Sequence, residues 1–365
     1  MYWRSRGAPH DRALPVSVGI SLADALARMP RVALQDAPTP IQRLERIEEA
    51  MGTALNGIKL YAKRDDLMGF GGGGNKLRKL EYLLGDAAAK GCDTIIATGG
   101  IQSNFTRLAA AACARQKLAC ELVLAPLVAE TDDEYDRNGN SILDDLFGAR
   151  LHVLGRGESA ADFAKRRLAE LIAQGRKPYL TPGGGSNSIS ALGYARCALE
   201  LDAQLNSNGL DEAIIVTANG SNGTHAGLLA GFKALGRSPR QISAFTVLAI
   251  AENSRNSTLA MANGTLDLLG ASGRLEIDDV QIADDQRGRG YGLVTDAMIE
   301  AVRVMASCEG LLLDPVYSGK AFAGVIGHVR SGRYPAGSSL MFLMTGGSPA
   351  LFAYRSAFAR KDTRS

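Results

Sequence analysis

Short apolar runs rich in β-branched residues alternate along the chain with longer segments in which apolar positions recur every three or four residues. The short runs predict strands at 58–63, 94–98, 120–125, 150–154, 178–181, 213–218, 242–249 and 339–344. The longer period predicts helices at 77–90, where Leu77, Leu80 and Leu84 share one face, and at 104–116, 160–174, 188–205, 224–235 and 294–308. Repeated alternation of strand and helix builds parallel sheets covered by helices, so the fold class is α/β. The polar stretch 130–145 and the run 183–186 read as loops. Neither has the composition of a flexible linker, and no internal repeat is present.

Charge and composition then exclude several functions. Lys and Arg number 41 against 38 Asp and Glu, a net charge of +3 without a basic run, so no nucleic-acid partner is expected. The five cysteines, Cys92, Cys113, Cys120, Cys197 and Cys308, are scattered and form no C-x-x-C pair, which fits free thiols in a reducing cytoplasm. The four histidines lack ligand spacing, so no metal site is expected. No apolar stretch is long enough to span a membrane. The N-terminus has early arginines, but Pro15 and Asp24 interrupt its apolar part, and it is not read as an export signal.

Glycine departs from the average, with 42 residues in 365, about 11.5% against about 7%. The glycines cluster at 69–74, 99–100, 183–185, 219–227 and 346–347, mostly just after a predicted strand. In open α/β sheets that edge is where ligands bind. Within 213–227, Gly220 and Gly223 allow the backbone to approach a phosphate, while Ser221, Asn222 and Thr224 add donors at the start of a helix. The same residues could instead form a tight capped turn. No Walker A motif occurs. Gly69, Gly71 and Gly74 satisfy G-x-G-x-x-G, but Asp93 precedes the next strand instead of ending it, so an NAD-dependent oxidoreductase stands only as a competing class.

Lys76, after the glycine run and Asn75, falls in the first turn of a predicted helix, where the positive end of the helix dipole disfavours a cation and lowers the amine's pKa, as a Schiff-base lysine requires. A solvated lysine is the plain alternative. In TGGIQSN, a buried strand runs into Gln102, Ser103 and Asn104 at another helix start. These residues can cap that helix, or can hold a carboxylate on backbone amides with a hydroxyl beside a reacting carbon.

Taken together, TPIQRLERIEEAMG, YAKRDDLMGFGGGGNKLRKLEYLLGDA, TGGIQSNFTRLAAA, YDRNGN, GGGSNSISALGYARCALEL, GSNGTHAGLLAGF, EGLLLDPVYSGKAFAG and FLMTGGSPALFAY resemble the D-cysteine desulfhydrase and 1-aminocyclopropane-1-carboxylate deaminase family, in the family's order from about residue 38 to 354. The resemblance implies a fold-type II pyridoxal 5′-phosphate enzyme related to the tryptophan synthase β-subunit, with two three-layer open twisted sheet domains. It further implies a discontinuous large domain, 1–78 plus 185–365, a small domain, 79–184, and a homodimer.

By the same resemblance, Lys76 carries the cofactor as a Schiff base, with Asn75 beside it. Gly220, Ser221, Asn222, Gly223 and Thr224 form the phosphate cup, and Asn104 meets the ring 3′-oxygen. Ser103 stands near the substrate α-carbon, and Gln102 with Ser103 and Asn104 receives the carboxylate. Tyr291 and Tyr317 are the two active-site tyrosines. Where the deaminase branch has a glutamate facing the pyridine nitrogen, this chain has Ser318, with Thr345 nearby. Neutral partners suit β-elimination better than cyclopropane ring opening. The resemblance thus implies a carbon-sulfur lyase acting on a small cysteine-like amino acid. An L-cysteate sulfo-lyase, with Arg287 or Arg289 serving a sulfonate, and a cyclopropane-acid deaminase are the alternatives within the family. A non-catalytic cofactor carrier is another. Phe105, Asn219 and Asn222 depart from the residues usual at their positions.

Overall fold

The computed structural model describes residues 20–35, 38–129 and 131–359. The N-terminal segment weighed as an export signal lies mostly outside them. Ten strands are described: β1 Ile41–Arg43, β2 Lys59–Lys63, β3 Thr94–Gly100, β4 Ala119–Ala125, β5 Arg150–Val153, β6 Pro178–Leu180, β7 Ile214–Asn219, β8 Ile242–Thr246, β9 Gln281–Ala283 and β10 Ser339–Leu343. They form a six-stranded sheet in the order β1-β2-β10-β7-β8-β9 and a four-stranded sheet in the order β5-β4-β3-β6. Only β1 runs antiparallel to its neighbour.

Each sheet is buried on both faces, because successive side chains of a strand point to opposite sides. In the larger sheet Val216, Phe245 and Phe342 pack on helices Asp296–Glu309 and Ser318–Arg330. Ile215, Ala244 and Met341 face helices Ser188–Asn208 and Gly223–Ala234 on the other side. In the smaller sheet Ile95 and Leu122 pack on helices Lys76–Ala89 and Asn104–Gln116, while Ile96 and Val123 pack on helix Ala160–Ala173. The helix that begins at Lys76 thus belongs to the smaller sheet's core.

The eight predicted strands form, and two three-residue edge strands, β1 and β9, are added. The stretch read as a loop at 130–145 instead holds helices Asp133–Arg137 and Asn140–Leu146, the first capped by Asp132, whose side chain accepts from the Tyr135 N–H. Helix Ala251–Leu269 went unpredicted because its inner face is built from Ser254, Thr258 and Thr265 alongside Ala262 and Leu266. Helix Ser318–Arg330 also went unpredicted; it contains three glycines, which lower helix propensity.

Helices Lys76–Ala89 and Ser188–Asn208 cross in backbone contact: a Cβ on Gly193 would lie 2.0 Å from the Arg78 carbonyl oxygen. Because that obstacle is backbone, the crossing cannot yield by rotating a side chain. Gly193→Ala is expected to lower stability by about 1–3 kcal/mol, read as a lower urea midpoint at unchanged slope.

Candidate active site

Asn75 and Lys76 join the glycine loop to the lysine helix, and Arg107 braces that loop from the neighbouring helix. Its two terminal nitrogens donate to the carbonyls of Gly72 at 3.2 Å and Gly73 at 2.6 Å. Lys76 Nζ donates to Asn75 Oδ1 at 3.0 Å and lies 5.4 Å from the centre of the Tyr317 ring. Burial lowers the amine from 10.5 to about 8, Asp314 opposing this and Arg107 adding to it. The direction is the one expected, but desolvation leads where the helix dipole had been invoked.

Asn75 also reaches the second loop, its Nδ2 donating to Thr224 Oγ1 at 3.0 Å. Gly220, Ser221, Asn222 and Thr224 line one recess together with Asn75, Lys76, Asn219, Tyr317 and Thr345. Asn222 has φ 66°, in the left-handed region, and precedes helix Gly223–Ala234. Its N-terminal amides therefore turn into a concave nest without intrahelical acceptors. Gly223 is tightly placed, since a Cβ there would lie 2.8 Å from Ser186 Oγ and 2.9 Å from Lys79 Nζ.

Lys79, which sequence reasoning missed, lines the same recess and donates to Ser186 Oγ at 2.9 Å; Ser186 in turn meets Ser221 Oγ at 2.7 Å. Burial, with Lys76 nearby, pushes Lys79 well below its ordinary value, and no carboxylate pairs with it among the described residues. Its position three residues after Lys76, on the same helix face, is the signal that could have found it.

A second recess opens from Lys76, Gly220, Ser221 and Tyr317 toward the smaller sheet, where Ser103, Asn104, Phe105, Leu127, Leu248 and Tyr291 join its lining. Ser103 caps helix Asn104–Gln116, accepting from the amides of Phe105 at 3.2 Å and Thr106 at 3.3 Å, so its hydroxyl hydrogen stays available to a ligand. Asn140 donates to Asn104 Oδ1 at 2.9 Å, leaving the Asn104 amide nitrogen to donate. The hydroxyls of Tyr291 and Tyr317 meet at 2.5 Å. Gly183 and Gly184 complete the wall, and a Cβ on Gly185 would lie 2.1 Å from the Phe105 ring. That contact accounts for Gly185, while at Gly184 a Cβ would lie 3.0 Å from Ser221 Cβ.

Two expected residues point elsewhere. Gln102 donates to the carbonyls of Tyr135 at 2.5 Å and Asn138 at 2.8 Å, and its Oε1 accepts from the Asn140 amide at 2.9 Å. Its side chain braces the 133–146 helices and lines neither recess. Ser318 is fully buried, donating to Asp314 Oδ1 at 2.7 Å and accepting from the Asp314 amide at 2.8 Å. It serves the helix start, and of the two neutral hydroxyls only Thr345 lines the recess. Asp314 also accepts from the amides of Val316, Tyr317 and Ser318, though burial still raises it from its ordinary value.

An anion nest beside an unpaired buried lysine, with a low-pKa amine at its rim, is a donor set that fits a phosphorylated aldehyde. The Asn222 Oδ1 and Asn219 Oδ1 atoms of this nest are buried without partners. The site and fold define a pyridoxal 5′-phosphate enzyme. The model of the family "Pyridoxal-phosphate dependent enzyme" matches residues 32–346, and the chain belongs to that family. It is 40% identical over 330 residues to D-cysteine desulfhydrase of Salmonella schwarzengrund (strain CVM19633), covering 90% of this chain and 97% of that one. A crystal structure of an ACC deaminase homologue, 33% identical, superposes with a TM-score of 0.81 over 93% of this chain and 98% of its own. A fungal L-serine ammonia-lyase from Rhizomucor miehei shares the fold, with a TM-score of 0.62 at 18% identity, covering 89% of this chain and 98% of its own. The fold is thus the fold-type II α/β architecture, and the cofactor belongs to it. The dinucleotide reading of Gly69, Gly71 and Gly74 gives way to the family.

Proposed function

We propose that the protein is a pyridoxal 5′-phosphate-dependent β-eliminating lyase acting on D-cysteine, which takes D-cysteine and water to pyruvate, ammonia and hydrogen sulfide. The observation that carries this reading is Lys76 standing between an anion nest and a chamber walled by hydroxyls and apolar side chains. The identity to D-cysteine desulfhydrase selects the substrate.

Residues Gly220–Thr224 and Lys79 would hold the cofactor phosphate, Lys76 the aldehyde carbon, and Asn104 and Thr345 the ring. The bound cofactor supplies the sink for electrons left on the substrate α-carbon. This chain's residues perform the proton transfers. Lys76, brought to about 8, suits a base that accepts the α-proton. Tyr291 and Tyr317 are both raised above the usual phenol range, by burial first, so at neutral pH they remain protonated and can donate to the departing sulfur. The elimination breaks the Cβ–S bond, its electrons leave on sulfur, and water takes the resulting enamine to pyruvate and ammonia. We read the two sheets as the domains 1–78 plus 185–365 and 79–184, and the protein as a cytoplasmic homodimer. Free Cys113, Cys120 and Cys197, all buried, support a reducing compartment.

A sulfonate substrate is disfavoured. Arg289 lines a different cavity together with Tyr354, and among the described residues no lysine or arginine besides Lys76 lines the substrate chamber. The test is product analysis of purified holoenzyme with D-cysteine, L-cysteine, L-cysteate and 1-aminocyclopropane-1-carboxylate. Sulfide and pyruvate in equal amounts from D-cysteine are expected; turnover of the cyclopropane acid or of L-cysteate alone would overturn the reading.

A further inference from the structure

Tyr291 lies between two glycines, in the segment Gly288-Arg289-Gly290-Tyr291-Gly292, which has no regular secondary structure. Such a segment has unusual conformational freedom, yet it must deliver a phenol to within 2.5 Å of the Tyr317 hydroxyl. Two buried side chains grip it. Lys320 Nζ donates to the carbonyls of Arg287 at 2.8 Å and Gly290 at 3.2 Å. Tyr354 donates its hydroxyl to the Gly292 carbonyl at 2.8 Å. The carbonyls of the two glycines on either side of Tyr291 are therefore held.

The ammonium of Lys320 is unusual in its setting. The residue is fully buried, and no carboxylate pairs with it among the described residues. Burying a cation without a counter-ion is costly, and methionine would fill the same space without that cost. Burial, with Arg287 nearby, brings Lys320 to about 8, so the charged form still predominates at neutral pH. Lys320 stands three residues after Tyr317, in the first turn of helix Ser318–Arg330, so a single helical turn presents one tyrosine and anchors the loop that carries the other. Tyr354 is seated on its other side, edge-on to Tyr135 with ring centroids 5.5 Å apart. Gly292, with φ 73°, leaves no room for a Cβ against Val128, at 2.4 Å.

We propose that Lys320 and Tyr354 are positioning residues that clamp the carbonyls of Gly290 and Gly292, the glycines on either side of Tyr291, and thereby fix its hydroxyl against Tyr317. This rests on the proposed role of Tyr291 as a proton donor, so the experiment has one readout that needs no turnover. Amide hydrogen exchange of holoenzyme peptides spanning 287–293 is compared among wild type, Lys320→Met and Tyr354→Phe. Exchange about tenfold faster in each variant is expected, with an unchanged cofactor absorption band because neither residue lines the anion nest; unchanged exchange overturns the clamp.

The second readout is kcat and KM with D-cysteine. A fall in kcat of about tenfold or more with little change in KM is expected. In a Tyr291→Phe background, Lys320→Met should then add little further loss. Fully multiplicative losses would mean that Lys320 acts apart from Tyr291, and would overturn the proposal. Tyr354→Phe deletes one hydroxyl and keeps the ring, so it decides the matter if Lys320→Met does not fold. Inactivity of wild type on D-cysteine would sink the substrate reading and leave hydrogen exchange to judge the clamp.

Discussion

Lys76→Ala is expected to reduce sulfide and pyruvate release from D-cysteine by on the order of 10³- to 10⁴-fold, with the protein still folded. On the mechanism proposed above, the amine would do two things at once: anchor the cofactor covalently and accept the substrate α-proton. Neither task passes to a neighbour. Lys79 is turned to Ser186, and the two tyrosines are raised too far to act as bases at neutral pH. The fold should survive because Lys76 is only partly buried and its single side-chain hydrogen bond is to the adjacent Asn75. The check is the steady-state rate beside a denaturant melt, together with borohydride trapping of the cofactor on wild type and not on the variant. A loss under about tenfold would remove Lys76 from the mechanism.

Asp65→Asn should produce the largest loss of stability, about 3–5 kcal/mol, because it breaks a fully buried ion pair on one side only. Arg78, two residues beyond Lys76, donates to both Asp65 oxygens, at 2.9 and 2.7 Å, and to Glu200 at 3.0 Å. Tyr194 and Thr39 each donate to Asp65 at 2.7 Å, while Lys63 bonds Glu200 and Gln204 nearby. Burial alone would raise the Asp65 carboxyl, but Arg78 and then Lys63 and Tyr194 outweigh it and hold the pKa below 3.8. A depressed carboxyl contributes stability that is fully present above its unfolded value, about 3.9, and lost as the pH falls through the folded one. Urea midpoints of wild type and variant should therefore lie far apart at pH 7 and draw together as the pH falls below about 4 and on through the depressed folded value. Equal midpoints at pH 7 would show that the network contributes nothing net.

The fold was legible wherever burial leaves an apolar imprint. β3, β4, β7 and β10 are covered on both faces, so their runs are continuous and easy to see. Helix Ala251–Leu269 was hidden because its buried hydroxyls find partners across the core: Thr258 accepts from Asn219 at 3.2 Å, and Thr265 donates to the Ser188 carbonyl at 3.3 Å. Such a face looks polar in a sequence although it is dry in the structure. In the site, Lys76 and the Gly220–Thr224 turn were legible because loop glycines and a helix start carry local signals. The position of Gln102 was not, since it depends on carbonyls of the 133–146 segment, a long-range contact without periodicity. Ser318 misled for a related reason: its hydroxyl could have faced a ligand, but a carboxylate four residues earlier claims it.

Beyond Lys76, the polar part of the substrate chamber is made from hydroxyls, amides and glycine backbone, with Leu127 and Leu248 exposed in its lining. Hydroxyl rotors and amides turn to meet a small neutral or weakly acidic group, but they return little of the hydration that a strong anion must shed. On the proposed function, selection would work through dehydration: the thiol end of the substrate would surrender few water contacts, whereas a sulfonate in its place, a second anion beside the carboxylate, would have to leave its water behind.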